Sequence, residues 1–276
     1  MNDLIISYRK LRHNRLLFAG IILLALLIAP VVVVLVYQPY SPTAIDIARR
    51  FQLPSWQHWL GTDNLGRDIA VRIFFGARFS LLISFLSLII GGSIGIALGA
   101  FSGYYQGKID TFISKFTEVQ MAFPGVLLAL MLLAVFGIGT LNTVVALSLM
   151  AIPRFTRISR SGFFKYRGSE FVRSAMVRGL SDWRIIWWHI LPNLRYELLV
   201  TFSLTLATTI MSEAGLSYIG LGLQPPLPSM GRMLSDAQQN IFAAPHYILS
   251  VSGYLSLLII GFTLLGEGLQ QVNKYE

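Results

Sequence analysis

Gly103-Tyr-Tyr-Gln-Gly107-Lys108-Ile109 sets two glycines ahead of a lysine, the order in which a phosphate loop wraps a nucleotide. The chemistry fails at each end of the stretch. It is one residue short between the glycines, and Ile109 stands where a Ser or Thr would hold magnesium. No strand pattern precedes it, so the match is fortuitous. Metal chemistry fares no better, because His13, His58, His189 and His246 are scattered, without an HExxH or paired spacing. No GxSxG motif is present, and the absence of cysteine removes disulfides, thiolate zinc sites and thiol nucleophiles. Three carboxylates, Glu118, Glu213 and Glu267, fall in or near apolar stretches, where an acid is costly and often functional. All three lie near the ends of those stretches, which leaves helix-end hydrogen bonding and a proton relay as the alternatives. No nucleophile, metal or nucleotide site emerges, and the chain reads as a passive pathway without a motor of its own.

The elements around these residues explain why. Charged residues make up 13% of the 276, about half the usual share of a soluble domain, and the mean hydropathy is +0.64. A bilayer core of about 30 Å needs roughly 20 apolar residues, and several stretches are long enough. Six spans are expected, at about 16–37, 79–101, 118–136, 141–158, 194–211 and 247–265. The net charge of +9 could indicate nucleic acid, but its distribution argues otherwise. Four of the 22 Lys and Arg lie in 9–15 (Arg9, Lys10, Arg12, Arg15) and nine in 154–195, both flanking apolar spans. That is how cytoplasmic segments are marked, so the partner is the lipid bilayer and not nucleic acid. Both termini are expected on the cytoplasmic side. The five arginines of 37–78 fall on the other side and are an unexplained exception. The first apolar run is too long for a signal peptide and is read as an uncleaved anchor.

Two further patterns bear on function. Gly91, Gly95, Gly99, Gly103 and Gly107 recur every four residues, a stripe on one helix face that either admits a second backbone or lines a pathway. Pro124 is expected to kink the third span. The stretch "FVRSAMVRGLSDWRIIWWHILPN" (171–193) reads as two short helices. Phe171, Val172, Ala175 and Met176 form an apolar stripe, with Arg173, Ser174 and Arg178 turned away. Gly179 suits the left-handed position that ends a helix, and Ser181 is a candidate N-cap with Asp182 in the first turn. Trp183, Ile186, Trp187 and Ile190 place the second helix along the membrane surface until Pro192 ends it. Taken alone, this stretch is either a basic anchor or a rigid docking knob for a partner's groove.

Ala175, Gly179, Leu191 and Pro192 resemble the EAA loop of ATP-binding-cassette importer permeases, in which a glycine precedes Leu-Pro at fixed distance. Arg173 stands where that motif has its first Glu, Ser174 its first Ala, and His189 its Ile. "HWLGTDNLGRDI" (58–69), followed by "GARFSL" (76–81), is similar to the segment before the second helix of C-type permeases of dipeptide, oligopeptide and nickel importers. "EAGLSYIGLGLQPPLPSMGRMLSDA" (213–237) resembles their loop after the fifth helix, with Met230 where Trp is usual. "MAFPG" (121–125) and "LLGEGL" (264–269) also fit, so the resemblance covers about residues 8 to 269.

The resemblance implies an all-α permease of the type I importer fold, with six transmembrane helices in a bacterial or archaeal plasma membrane. Residues 1–78 would hold the N-terminal arm, first span and extracytoplasmic loop, and 79–276 the permease core. A homologous B-type permease would pair with it, an extracytoplasmic binding protein would deliver substrate, and two cytoplasmic ATPases would bind ATP and magnesium. The coupling helix, at about 171–182, would meet an ATPase through Phe171, Arg173, Ser174, Ala175, Arg178, Gly179, Ser181 and Asp182. Gly61, Thr62, Asp63, Gly66, Arg67, Asp68, Gly220, Gly222 and Pro192 would be structural. Peptides and nickel chelates are both moved by such permeases, and the binding protein largely makes the choice. Rival readings are a secondary transporter or channel, which would need a coupling-ion site, and a lipid-modifying membrane enzyme, which would need clustered His or acids.

Overall fold

The computed structural model describes residues 14–37 and 40–273. Arg9, Lys10, Arg12, His13 and Glu276, on which part of the expected topology rests, lie outside the described residues. The described chain is helical, with α1 (Arg15–Val36), α2 (Ile69–Tyr105), α3 (Gly107–Ala122), α4 (Gly125–Phe136) and α5 (Thr140–Arg167) in its first part. The second part holds α6 (Glu170–Val177), α7 (Asp182–Tyr218), α8 (Met230–Gln239) and α9 (Pro245–Asn273).

Local sequence accounts for several of the boundaries. Asn14 caps α1, its side-chain oxygen accepting from the amides of Leu16 (3.1 Å) and Leu17 (3.2 Å). The same side chain donates to the Gly268 carbonyl at 2.8 Å, so the cap also fixes where α1 meets α9. Asp68 caps α2 through the Val71 amide at 2.8 Å. Gly220, at φ +87°, closes α7, with Leu221 N–H donating to the Leu216 carbonyl at 2.9 Å.

Length and composition qualify four described helices as spans (α1, α2, α7 and α9), and the bent pair α3–α4 makes a fifth. The expected six are therefore not all reached on those grounds. Three differences have physical causes. The stretch expected as one span at 118–136 is two helices that meet at an angle of 87°, since Phe123 is extended and Pro124 stands at the N-cap of α4. The fourth stretch, 141–158, lies on a helix that runs on to Arg167, so five basic residues assigned to a loop stand on α5 and dilute its apolar character. The fifth does not begin after Pro192. The chain stays helical from Asp182 to Tyr218, through a π segment at Ile185–Ile190 and a 3-10 turn at Leu191–Leu194.

The centre of the molecule is the pairing of α2 with α5, its most extensive helix contact. Gly91, Gly95, Gly99 and Gly103 make it possible. A Cβ on Gly91 would lie 2.2 Å from the Ser148 carbonyl oxygen, and one on Gly95 2.6 Å from that of Ile152. Gly99 and Gly103 meet the carbonyl oxygens of Thr156 and Arg160 at 2.5 Å in the same way. The stripe is a close-packing face. Gly107 is not part of it, because it begins α3 at φ +58° with nothing within 4 Å. Other apolar clusters lie at the two ends of α2. Ile69, Ile73 and Ala77 pack with Met230, Met233 and Tyr247 at its start, and Ala100 and Tyr104 with Phe163, Val172, Ile185 and Ile190 at its end.

Candidate functional site

At a rise of about 1.5 Å per residue, the 37 residues of α2 span about 55 Å, well beyond a hydrocarbon core. Its two ends carry the two motif regions picked out in the sequence.

At the C-terminal end, α6 sits on the cluster around Tyr104 through two side chains, Val172 (0% exposed) and Ala175 (4%). Phe171 and Met176, expected on the same buried stripe, are instead exposed together with Val177, because a helix of 8 residues offers its support only a narrow face. Arg173, Ser174 and Arg178 point outward, and no ion pair among the described residues holds either arginine. Ala175 thus lies beneath the helix and not on its free face. Gly179, at φ +74°, ends α6 as the sequence predicts: its N–H donates to the Met176 carbonyl (2.9 Å) and Leu180 N–H to that of Ala175 (3.2 Å). An added Cβ there would meet nothing within 4 Å, so the requirement is conformational only.

Ser181 occupies the N-cap position of α7, but its side chain makes no capping bond. Asp182 accepts a hydrogen bond from the Tyr104 hydroxyl at 2.7 Å and so ties the start of α7 to the end of α2. Pro192 does not terminate its helix. The π segment before it loosens the turn, and Asn193 Nδ2 donates to the His189 carbonyl at 2.6 Å. Ile185, Ile186 and Ile190 are buried against protein, Trp183 and Trp188 are exposed, and the rings of Trp183 and Trp187 lie 5.3 Å apart.

At the N-terminal end, residues 58–72 form a knot. Asp63, fully buried, accepts from the amides of Leu65 (2.8 Å) and Arg67 (3.0 Å), from Arg67 Nε (2.7 Å), and faces Arg72 Nε at 3.4 Å. Asp68 serves His58 Nδ1 (2.8 Å) besides its capping bond. Thr62 forms a bridge with Asp68, donates to the Arg49 carbonyl and accepts from the Gln52 amide at 2.8 Å. Gly61 and Gly66 have φ of +77° and +75°, and neither has room for a side chain. A Cβ on Gly66 would lie 1.7 Å from the Asp46 carbonyl oxygen, and one on Gly61 2.3 Å from that of Gln52. Three of the five unexplained arginines are accounted for here, with Arg49 on Asp46 (3.2 Å) and Arg67 and Arg72 on Asp63. The knot leans on α8, where burial lifts the Asp236 carboxyl above the ordinary aspartate range, against the opposing pull of Arg232.

Between the ends, Glu213 is fully buried in α7, and its two carboxyl oxygens accept from the hydroxyls of Ser80 on α2 and Ser217. It links helices inside the bundle, where the sequence had placed it near a helix end. Glu118 and Glu267 are exposed. Gly222 folds back on α7, a Cβ there falling 1.9 Å from Ser217 Oγ. Sequence reasoning missed the Tyr104–Asp182 bond and a bidentate pair between Asp110 and Arg160 (Nη2 to Oδ2 2.7 Å) that joins α3 to α5. Both partners in each case lie far apart in the chain, beyond any local pattern.

Against known proteins, the family model described as "binding-protein-dependent transport system inner membrane component" matches residues 95–271. The dipeptide transport system permease protein DppC of Alkalihalophilus pseudofirmus is 37% identical over 266 residues, 96% of this chain and 87% of that protein. The glutathione transport system permease protein GsiD of Pectobacterium atrosepticum is 39% identical over 263 residues, 95% and 87% of the two chains. A chain of the inward-facing MetNI methionine ABC transporter superposes with a TM-score of 0.61 at 17% identity, covering 74% of this chain and 96% of that one, a likeness of fold. With the end of α2 and nearly all of α3 to α9 falling within the matched region, this chain belongs to the family of inner-membrane permease components of binding-protein-dependent transport systems.

Proposed function

We propose that the chain is one of two homologous permease subunits of an ATP-driven importer of short peptides, glutathione-like molecules included. The two curated relatives, named for dipeptide and glutathione transport, support the substrate class. α6 is the coupling helix in this reading. One of the two cytoplasmic ATPases, which bind ATP and magnesium themselves, seats on its outward face of Phe171, Arg173, Ser174 and Arg178. The knot at the other end of α2 then faces the delivering binding protein, and both termini are cytoplasmic. α5 serves as a crossing as well, which makes six with the bent pair α3–α4.

One observation carries the proposal. α6 is held rigidly from below by Val172, Ala175 and the Gly179 cap, yet exposes Phe171, Met176, Val177 and two arginines that make no ion pair among the described residues. A short helix with a fixed base and an unused amphipathic face suits a partner's groove. Because Asp182 follows it and bonds Tyr104, a push on α6 reaches the end of α2 directly.

The test is reconstitution with the sister permease, ATPases and binding protein in proteoliposomes. Peptide uptake that requires ATP and all four components is expected, with a short peptide identified by mass spectrometry on the co-purified binding protein. ATP hydrolysis by the purified chain alone would overturn the permease reading, and a non-peptide ligand would overturn the substrate class.

A further inference from the structure

Beside the coupling helix lies a cavity of about 570 Å³ whose chemistry the transport reading does not use. Lys165 and Tyr166, from the end of α5, and Asn193, Arg195, Tyr196 and Glu197, from α7, contribute to its walls. Two cations and a carboxylate face one space, yet no ion pair among the described residues joins them. The Lys165 ammonium rests over the Tyr166 ring at 5.2 Å, and the Arg195 guanidinium over Tyr196 at 4.9 Å. Glu197 Oε2 is buried and has no hydrogen-bond donor.

A buried carboxylate oxygen without a donor is costly, whereas Lys165 and Arg195 are exposed and open to an anion. Neither cation pairs with Glu197, and each lies over the aromatic ring next to it in sequence. A purely anionic ligand would suit Lys165 and Arg195 and be repelled by Glu197. A purely cationic one would do the reverse. The complement is a single molecule with both a primary ammonium, whose N–H can donate to Glu197, and an oxyanion.

The cavity's place in the fold narrows the source. It opens where the apolar part of α7 begins, and Trp188, 74% exposed, lies about one helical turn before Pro192, which also lines the cavity. Exposed tryptophans mark headgroup depth, and basic pockets between helices at that depth take lipid headgroups. We propose that this cavity is a binding site for a primary-ammonium zwitterion, filled in the membrane by the headgroup of phosphatidylethanolamine. Its phosphate meets Lys165 and Arg195, and its ammonium meets Glu197. Tyr166 forms part of the wall and its ring lies 6.1 Å from that of Phe171, so the bound lipid adjoins the coupling helix. The proposal goes beyond the transport reading and needs only that α5 and α7 end at a membrane face.

The test is a native mass spectrometry titration of the purified permease complex in detergent, with phosphatidylethanolamine, phosphatidylcholine and phosphatidylglycerol added separately. Phosphatidylethanolamine should bind about tenfold more tightly than the other two, the step that one charge-assisted hydrogen bond supplies. Phosphatidylcholine shares the phosphate but has no N–H to donate. Glu197→Gln should erase the preference, Glu197→Asp should keep part of it, and Lys165→Ala with Arg195→Ala should weaken all three lipids alike. Equal affinities on the unaltered protein would overturn the site, as would a preference that survives Glu197→Gln in a variant with an unchanged melting temperature. A free peptide arm separates the sources: dialanine that displaces phosphatidylethanolamine at micromolar concentration would overturn the lipid assignment.

Discussion

Gly66 and Gly179 stand near opposite ends of the same long helix, both in the left-handed region, and the surroundings of the two could hardly differ more. At Gly66 the chain closes on itself so tightly that a methyl group would collide with the Asp46 carbonyl, while at Gly179 the methyl would meet open space. The charges follow the same division. Asp63 and Arg72 are buried and Arg67 half-buried, all of them paired, whereas Arg173 and Arg178 are exposed and make no ion pair among the described residues. One end is an abutment whose residues answer to each other. The other is a platform whose backbone angle is fixed while its side chains face outward. The stability of the fold should therefore depend steeply on side chains at the knot and hardly at all on those of the platform.

Asp63→Ala is the hardest blow to that contrast. It removes the acceptor for two amides and leaves Arg67 and Arg72 unpaired in a buried site, which is worth about 3–5 kcal/mol. Thermal melts followed by size-exclusion chromatography should show loss of folded protein or a large drop in midpoint. A melt within two degrees of the parent, the shift expected from about 1 kcal/mol, would mean that the knot is ornamental.

The middle of α2 ranks next. Gly95→Ala forces a methyl against the Ile152 carbonyl on α5 and should cost about 1–3 kcal/mol. Gly253→Ala is the control, since α9 has open space there and helix propensity favours alanine by up to about 1 kcal/mol. If the two variants melt alike, the α2–α5 contact is looser than its geometry indicates.

Gly179→Ala comes third. Its cost is that of a left-handed conformation for a residue with a Cβ, about 1–2 kcal/mol, with no clash to add. Asn tolerates this region better than Ala, so Gly179→Asn should recover much of the loss. The same pair of substitutions at Gly66 should show no such recovery, because space and not only angle is missing there.

How much of this was legible in the sequence depends on how local each feature is. The stripe of Gly91 to Gly103 and the left-handed Gly179 could be read directly, because helical spacing and a single backbone angle are local properties. Arg72 could not be placed: in a linear reading it is one more charge on the wrong side, and its partner Asp63 meets it only once α2 has begun. The course of α7 was misread because Pro192 ordinarily stops a helix. Here the chain passes through a π segment and a 3-10 turn at Pro192 and stays helical, and no composition rule encodes that accommodation. The Tyr104–Asp182 bond joins residues 78 positions apart, and only the packing of α2 beside α6 brings them together. Motif resemblance located both ends of α2, yet it could not say that one consists of buried pairs and the other of free side chains.

The smallest expected effect on stability is the one that bears most on function. Arg173→Glu and Arg178→Glu change exposed side chains without an ion pair to lose, so the melting midpoint should stay within the range of ordinary surface substitutions, about 0.5 kcal/mol either way. A contact face responds differently. Reversing two charges where a partner's groove meets them costs several kcal/mol of association through like-charge juxtaposition, and the loss should lessen as salt is raised. The permease carrying both substitutions should therefore insert, pair with its sister subunit and melt normally, but lose the ATPases on purification, or retain them with hydrolysis uncoupled from uptake. Alanine at both positions should give a milder defect, since it removes attraction without adding repulsion. Unchanged ATPase retention and uptake in the double glutamate variant would reduce α6 to a basic anchor on the membrane face. The two ends of α2 would then differ in packing alone.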